Sequence, residues 1–534
     1  MMDAAGIPGL SLAVIDSGAV DWTAAYGVKN VATGEPVDRN TVFEAASLSK
    51  PVLAYAALRM VARGELDLDE PLWNVLAYDR LRTDERGRRI TPRLVLTHTT
   101  GLPNWGGTPL EFVRDPGDSW GYSGEGFVFL QRALETKTGR SLDEIARREV
   151  FEPLGMTRSS YVWIPAYDSL AATPHDLLGD PREKNKPAEA NGAASLHTTA
   201  DDYARFVAAV IKGEGLPAQL ADSMIAPLVP VDNWGAEDRR AGLFWGLGWG
   251  IQQGERGQAI WHWGDNGNFR CYVIAYPEEG RGLVYFTNSF NGLSIAEDVV
   301  TLVVEDTHPA IAWLDYDRYD DPLRRGRIEL RRAYLQNGIH AALDVIHEVA
   351  AADEELAAAG LIDLGSFALD RGASQDAVSI FRIAVYESPT AANWFRLAEA
   401  ATAAGEYRVA LDAYERAVSL DPERVEELRP RIEWLEEGLA AAAQPLDLSP
   451  DQLAAYVGSY GPRHIALEDG SLYYQRQGAT ARTRLLPLTR ELFALESTDT
   501  FRIRFVFDED GRPVKIIGLY SDGRTDESPR DDMP

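Results

Sequence analysis

The segment Ser47-Leu48-Ser49-Lys50-Pro51 opens an apolar helical run that continues to about Val61. Because proline is tolerated only in the first turn of a helix, Pro51 predicts that this helix begins no earlier than about Ser47. Ser47 then lies at a helix N-terminus, where unpaired backbone N–H groups and the positive end of the dipole favour a developing oxyanion. Lys50 lies on the same helix face and can reach the Ser47 hydroxyl. Taken alone, the pattern also fits a serine N-cap followed by a solvated lysine.

Strand-like segments lie on both sides of this helical region. The apolar runs Leu10 to Ile15 and Ala19 to Tyr26 flank the turn Asp16-Ser17-Gly18, which predicts a hairpin. In residues 259–287 the hydrophobic pattern again has the period typical of strands, with a turn at Asp265-Asn266-Gly267. Strands at both ends therefore flank a helical middle, and residues 1–310 are predicted to form an α+β domain.

Residues 311–443 are helical throughout and contain an internal repeat. Small residues within it would let paired helices approach closely, and prolines end each copy. The second copy is similar to tetratricopeptide repeats, and an ordinary helical bundle is the alternative. Six residues recur at a displacement of 33 positions: Leu364, Gly372, Ala377, Phe381, Ala384 and Pro389 as Leu397, Gly405, Ala410, Tyr414, Ala417 and Pro422.

The last segment, residues 444–534, is strand-like. Phe501, Ile503 and Phe505 alternate with polar neighbours, and Asp508-Glu509-Asp510-Gly511 supplies a turn. The segment is predicted to form a small antiparallel barrel or sandwich, with a frayed tail from Ser521 onward.

Composition excludes several functional classes. The 534 residues include 53 Lys or Arg and 82 Asp or Glu, a formal net charge of −29, which argues against nucleic-acid or anionic-membrane binding. The single cysteine, Cys271, excludes an intrachain disulfide and a cysteine-based metal site, and no metal or cofactor is predicted. There is no run of apolar residues long enough for a membrane span. The N-terminus lacks a secretory leader, which predicts a cytoplasmic protein, or a periplasmic or secreted one if a leader has been removed.

Several short segments occur in one order and together resemble the serine β-lactamase and penicillin-binding-protein superfamily. The likeness is greatest to its class C-like branch of esterases and D-amino-acid peptidases, and it covers roughly residues 7–305. It implies a transpeptidase-like domain, in which helices flank an antiparallel sheet and an all-α subdomain is attached, and it implies no cofactor. The segments are Phe43 through Lys50, Gly64 through Asp69, Leu94 through Leu102, Trp120 through Gly124, Phe151 through Met156, and His262-Trp263-Gly264.

The resemblance implies a catalytic set. The family's nucleophile maps on Ser47, its lysine on Lys50, and the tyrosine of its second motif on Tyr122. A tyrosine with a pKa of about 10 is a poor base at neutral pH, and Lys50 as a close cation would lower that pKa. Gly124 stands where the second motif usually has Asn, so recognition of a β-lactam or an acyl-D-Ala-D-Ala substrate is put in doubt.

The third motif and its surroundings complete the predicted site. His262 is predicted to act in catalysis by orienting Tyr122 or a substrate carboxylate. The backbone N–H groups of Ser47 and Asp265 are the predicted oxyanion hole. His98 is predicted to be a structural hydrogen-bonding residue. The predicted substrate-binding residues are Gly124, Trp263, Gly264 and Trp105.

These observations favour a serine hydrolase that forms an acyl-enzyme on Ser47 and cleaves carboxylic esters or small peptide or amide bonds. A β-lactamase or a D,D- or D-amino-acid peptidase of the same fold is the first alternative. The second is a non-catalytic interaction protein whose hydrolase domain is degenerate. Expected partners are a small ester, amide or peptide substrate and, through the helical repeat, a protein, a peptide or a second copy of the chain.

Overall fold

Two units make up the computed structural model, which describes residues 1–231, 242–350, 354–443, 446–479, 481–496, 498–521 and 523–531. The units comprise residues 1–325 and 326–534. The first unit continues beyond the predicted boundary at residue 310, because the helix Pro309–Leu314 buries Ala310 and Trp313 in the core of that unit. The predicted boundary between residues 443 and 444 adjoins residues outside the described ranges and stays a prediction.

Within its described residues, the first unit is built on a nine-stranded antiparallel sheet. The predicted hairpin is present, and Ser17 (φ 51°) and Gly18 (φ 70°) both take the positive φ that a tight two-residue turn requires. Gly9–Asp16 also pairs with Arg281–Thr287, so the first strands of the chain lie beside the last ones of this unit. In sheet order the strands are Glu35–Pro36, Ala19–Asn30, Gly9–Asp16, Arg281–Thr287, Arg270–Tyr276, Gly257–Asp265, Gly250–Gly254, Leu243–Trp245 and Val229–Pro230.

Each face of this sheet packs against helices. In one strand Val273 and Ala275 point into one core while Tyr272 and Ile274 point into the other, as strand alternation requires. The central helix Ser49–Ala62 belongs to the first of these cores. The predicted α+β architecture is confirmed. The helices are Met2–Ala5, Ser49–Ala62, Pro92–Leu96, Gly124–Thr138, Leu142–Ala146, Glu152–Leu154, Tyr167–Leu170, Ala200–Ile211, Ala218–Met224, Ala296–Val303 and Pro309–Leu314.

The second unit begins with helices that reproduce the predicted repeat. The helices Ser374–Glu387 and Tyr407–Leu420 have the same length, 14 residues, and start 33 positions apart. Gly372 (φ 77°) and Gly405 (φ 73°) make the left-handed turns that precede them. No helix within the described ranges is long and apolar enough to cross a membrane. The helix Pro322–Ala350 starts in the last residues of the first unit and is interrupted at Gly338. The other described helices of the second unit are Glu354–Asp370, Ala391–Ala403, Val425–Ala443 and Pro450–Ala454.

The C-terminal strands form one antiparallel sheet in which every strand pairs with its neighbours in sequence. A bridge between Tyr460 and Arg530 joins the first strand to the end of the last, so the sheet nearly closes into a barrel. The prediction of a frayed tail is wrong for Thr525–Pro529, because pairing with the preceding strand orders it. The strands are Gly458–Tyr460, Arg463–Glu468, Ser471–Arg476, Thr483–Pro487, Leu492–Leu495, Thr498–Phe507, Pro513–Tyr520 and Thr525–Pro529.

Candidate active site

Ser47 lies in a tight turn that feeds the helix Ser49–Ala62. The turn is a short 3-10 segment, Ala46–Leu48, and Pro51 falls in the first turn of the helix as predicted. Ala46 takes a positive φ of 47°, an uncommon conformation for a residue with a side chain. Within residues 41–50, Ser47 alone is partly exposed and all others are buried. The turn therefore presents one hydroxyl group to solvent.

Gly264 allows the strand Gly257–Asp265 to lie directly against this turn. A Cβ atom at residue 264 would lie 2.4 Å from the carbonyl oxygen of Ala45 and 2.4 Å from the Cys271 Sγ. Any other residue would push the strand away from Ser47. The structure places Gly264 in close contact with the backbone of the turn that carries Ser47, and its role in substrate binding stays a prediction.

Lys50 is fully buried and points at Ser47. Its Nζ donates to the Ser47 Oγ at 3.0 Å and to the carbonyl oxygen of Ala193 at 2.8 Å. No carboxylate in the described part of the chain forms an ion pair with it, so burial in an apolar surrounding lowers the pKa of the Lys50 amine to about 7. A substantial fraction of this amine is therefore neutral at neutral pH and able to accept a proton.

Tyr122 completes a group of three with Ser47 and Lys50. The Lys50 Nζ lies 4.7 Å from the centre of the Tyr122 ring. Burial raises the pKa of the Tyr122 phenol, and the neighbouring Ser47 hydroxyl offsets only part of that rise. The expectation that this pKa would be lowered is therefore wrong, because desolvation of the buried phenol is the largest effect on it. The phenolic oxygen is buried, and no described group forms a hydrogen bond of standard geometry with it.

A cleft of about 490 Å³ opens over Ser47 and Tyr122. This volume suits a small ligand. Of the predicted substrate-binding residues Trp263 lines the cleft, while Trp105, Gly124 and Gly264 are absent from its described lining. The lining residues are Ser47, Leu102, Pro103, Asn104, Val113, Arg114, Trp120, Gly121, Tyr122, Trp263, Asp265 and Tyr316.

The surroundings of Gly124 explain why this position carries no side chain. A Cβ atom there would lie 2.8 Å from the Trp105 Cη2 and 2.9 Å from the carbonyl oxygen of Asn104. The Asn104 Oδ1 accepts a hydrogen bond from the Gly124 N–H at 3.0 Å, so a carboxamide from another loop takes its place beside the cleft. The sequence analysis missed Asn104. Its only signal was a carboxamide two residues after the segment Leu94 through Leu102.

Two buried histidines flank Tyr122. The His98 Nδ1 accepts from the Ser123 N–H at 3.0 Å, and the His98 and Tyr122 ring centres are 4.4 Å apart, which fits the predicted structural role. His262 is fully buried, and its Nδ1 lies 2.8 Å from the carbonyl oxygen of Trp263. Burial, reinforced by Lys50, lowers the pKa of His262 to about 3. His262 does not appear among the described residues that line the cleft, so it sits behind Tyr122 as a neutral group.

The carboxylate of Asp265 is occupied by neighbouring donors. It accepts from the Tyr316 hydroxyl at 2.7 Å and the Gly267 N–H at 2.8 Å, and it pairs with Arg270 at 3.1 Å. These contacts balance its charge, which is compatible with the predicted use of only its backbone N–H beside an oxyanion. No cluster of three or more His, Cys, Asp or Glu side chains within the described ranges could hold a metal ion.

Comparison with known families gives two matches. Residues 1–305 match the family model described as Beta-lactamase, and residues 391–424 match the model described as Tetratricopeptide repeat. The resemblances predicted from the motifs and from the 33-residue repeat are confirmed. The first match covers more than half of the chain.

Individual relatives carry different activities in their names. Esterase EstB from Burkholderia gladioli is 29% identical over 290 residues, which cover 43% of this chain and 72% of the esterase. Penicillin-binding protein 4 from Amycolatopsis lactamdurans is 26% identical over 322 residues, which cover 55% of this chain and 84% of that protein. The solved structure of D-alanine carboxypeptidase AmpC from Burkholderia cenocepacia is 20% identical with a TM-score of 0.48, covering 56% of this chain and 95% of its own.

Proposed function

Because the chain belongs to the β-lactamase family of serine hydrolases, we propose that Ser47 attacks the carbonyl carbon of a carboxylic ester or a small peptide or amide and forms an acyl-enzyme. One observation carries this proposal. The partly exposed Ser47 hydroxyl lies 3.0 Å from the Nζ of a fully buried lysine that has no carboxylate partner among the described residues. That lysine has a pKa of about 7, which suits a general base at neutral pH.

The reaction divides between two proton-transfer groups. Neutral Lys50 accepts the proton of the Ser47 hydroxyl as the Oγ bonds to the carbonyl carbon, and the N–H groups of Ser47 and Asp265 stabilise the oxyanion. Tyr122 stays protonated because its pKa is raised, so it donates a proton to the leaving group and recovers one from Lys50. Water then attacks the acyl carbon while neutral Lys50 accepts its proton, and Lys50 returns that proton to the Ser47 Oγ as the ester bond to Ser47 breaks and the carboxylic acid is released. His262 serves this set as a positioning residue behind the Tyr122 ring.

The order of substrates follows from the surroundings of Gly124. The Trp105 ring occupies the space where a side chain at residue 124 would lie, which disfavours the amide contact that β-lactams use and favours esters. The likeness to an esterase supports the same order. Rates on short-chain esters, D-aminoacyl anilides and a chromogenic cephalosporin should fall in that sequence. A cephalosporin rate above the ester rate would reverse the order and favour the β-lactamase alternative.

Replacement of the nucleophile tests the proposal. Ser47→Ala should abolish turnover of p-nitrophenyl acetate and labelling by a serine-directed phosphonate. Ser119→Ala is the matched control, since Ser119 is partly exposed nearby but does not line the cleft, and it should retain both. Undiminished turnover by Ser47→Ala would reject the assignment and favour the interpretation of this unit as a degenerate scaffold.

The helical repeat adds a second, separate proposal: binding of a protein, a peptide or another copy of this chain. Its support is the tetratricopeptide match and the side chain of Tyr386, which is 84% exposed on a helix of the repeat. Tyr386→Asp should abolish any concentration-dependent association seen by sedimentation while ester turnover stays unchanged. Association unaffected by this change would remove Tyr386 from the binding surface.

A further inference from the structure

One residue of the cleft comes from a segment beyond the family match. Tyr316 lines the cleft, although the family model matches only residues 1–305. The helix Pro309–Leu314 leads to this point, and it is anchored by Trp313, which is buried with its ring centre 5.8 Å from that of Trp263. Trp263 is itself part of the cleft lining. The segment that follows the family match therefore supplies part of the wall of the cleft.

The Tyr316 side chain contacts two charged groups in this wall. Its hydroxyl donates to the Asp265 Oδ2 at 2.7 Å, and the Arg270 guanidinium lies 4.9 Å from the centre of its ring. The other oxygen of the same carboxylate accepts from the Gly267 N–H at 2.8 Å. Gly267 and Arg270 belong to the same hairpin as this carboxylate, whereas Tyr316 comes from a separate segment. Tyr316 therefore fixes the direction of the carboxylate from outside the hairpin.

The direction of this carboxylate matters because Asp265 also carries one N–H group of the proposed oxyanion hole. The side chain and the N–H group belong to one residue, so the carboxylate is never more than a few ångströms from the oxyanion that the N–H stabilises. The Asp265 side chain is 23% exposed, so water screens its charge only in part. Two negative charges at such a separation repel each other. The N–H of Asp265 can stabilise an oxyanion only while the charge of its own side chain is directed elsewhere.

We propose that Tyr316 is a positioning residue that speeds acyl transfer by holding the Asp265 carboxylate away from the oxyanion. This inference rests on the proposed function, because the oxyanion forms only when Ser47 attacks a carbonyl carbon. A hydrogen bond to an ionised acceptor is shorter and stronger than one between neutral groups, so a single hydroxyl is enough to fix the carboxylate. Without that hydroxyl, a larger share of the negative charge acts on the cleft and opposes the oxyanion.

The test removes the hydroxyl group and the charge separately. Tyr316→Phe keeps the ring beside Arg270 and should lower kcat/KM on p-nitrophenyl acetate by about threefold to thirtyfold. It should weaken inhibition by phenylboronic acid by a similar factor, because that inhibitor forms an anionic tetrahedral adduct on a serine hydroxyl. In an Asp265→Asn background, where residue 265 carries no charge, Tyr316→Phe should change kcat/KM by less than about twofold. A residue that only fills space would cause the same loss in both backgrounds.

Tyr319→Phe is the matched control, because Tyr319 lies in the same segment and its hydroxyl neighbours the Asp298 carboxylate outside the described cleft lining. This control should keep both kcat/KM and the inhibition. Asp265→Ala supplies a second uncharged background if Asp265→Asn fails to fold. Equal losses from Tyr316→Phe in the charged and uncharged backgrounds, or no loss in either, would overturn the inference alone. Turnover that persists in Ser47→Ala would instead overturn the proposed function.

Discussion

Buried cations in the two units have different surroundings. In the C-terminal sheet Arg463 is 2% exposed, its Nη2 lies 2.5 Å from the Asp526 carboxylate, and its Nη1 donates to the Ser528 hydroxyl. In the cleft Lys50 is 0% exposed, and its Nζ has only the Ser47 hydroxyl and a carbonyl oxygen as partners. A buried charge without a counter-charge destabilises the fold, so we expect Lys50 to contribute less to stability than Arg463, in keeping with the role proposed for its amine in catalysis.

The largest expected effect comes from removing the Lys50 amine, which forms no ion pair with a described carboxylate. Lys50→Met should lower kcat/KM on p-nitrophenyl acetate by about 10²- to 10⁴-fold, because the base is lost. It should also raise the free energy of unfolding by about 1–4 kcal/mol, because a buried charge is replaced by an apolar side chain of similar length. Lys29→Met is the matched control, since Lys29 is buried but paired with Glu35 at 2.6 Å. The control should keep its activity and gain no stability. A Lys50→Met protein that is less stable than the wild-type protein would contradict the view that Lys50, unlike the cations with carboxylate partners, destabilises the fold.

A pH profile tests the same lysine without a mutation. The base acts when it is unprotonated, so kcat/KM should fall by about tenfold per pH unit as the pH drops below the Lys50 pKa of about 7. The pKa of His262 is lowered to about 3, so this group does not titrate in this range, and burial lowers the pKa of His98 well below its usual value. The measurement is kcat/KM between pH 5 and 9, corrected for spontaneous hydrolysis. A kcat/KM that does not fall toward low pH would refute the assignment of Lys50 as the base.

Breaking the ion pair between Arg463 and Asp526 should lower stability and leave activity unchanged. Asp526→Ala leaves Arg463 buried without its carboxylate partner, and it should lower the free energy of unfolding of the second unit by about 1–3 kcal/mol. This loss is smaller than that expected for a fully buried pair, because the Asp526 side chain is 42% exposed and solvent screens the interaction. Thermal unfolding measures this change, and ester turnover should not alter. Glu527→Ala on the same strand removes an exposed pair with Lys515 and should cost far less. Equal losses in the two variants would show that burial of Arg463 does not matter.

The smallest expected effect concerns Gly124. Gly124→Asn must displace the Trp105 ring, which is 51% exposed and free to move outward, so ester turnover should change by less than about tenfold. Combining it with Trp105→Ala removes the contact with the ring and leaves only the approach to the Asn104 carbonyl oxygen at 2.9 Å, so the double variant should raise the cephalosporin rate relative to the ester rate. If the single and double variants have the same substrate order, the Trp105 ring does not govern it.

The features that local sequence could predict are those set by neighbouring residues. The hairpin at Ser17 and Gly18 follows from turn chemistry, and the helix that begins after Ser47 follows from the place of Pro51. The repeat follows from spacing alone, since its two helices start 33 residues apart. Each of these structures depends on interactions within one short segment, and the sequence of that segment is sufficient to predict it.

The remaining features of the site depend on which distant segments meet. Asn104 and Arg114 enter the cleft from a loop, and Tyr316 reaches Asp265 from a helix end about fifty residues later, so no local pattern marks them. The raised pKa of Tyr122 could not be predicted either, because its sign depends on how deeply the phenol is buried. The family resemblance implies that Lys50 is near Tyr122, and only packing shows that burial raises the pKa of the phenol.

The order of strands in the nine-stranded sheet has a consequence for synthesis of the chain. Gly9–Asp16 lies between its hairpin partner and Arg281–Thr287, so one of its edges has no partner until more than 280 residues have left the ribosome. The C-terminal sheet, in which every strand pairs with its predecessor, has no such delay. Pairings between distant residues form slowly and expose strand edges in the meantime. Nascent chains that stop before residue 281 should therefore be the ones that need a chaperone.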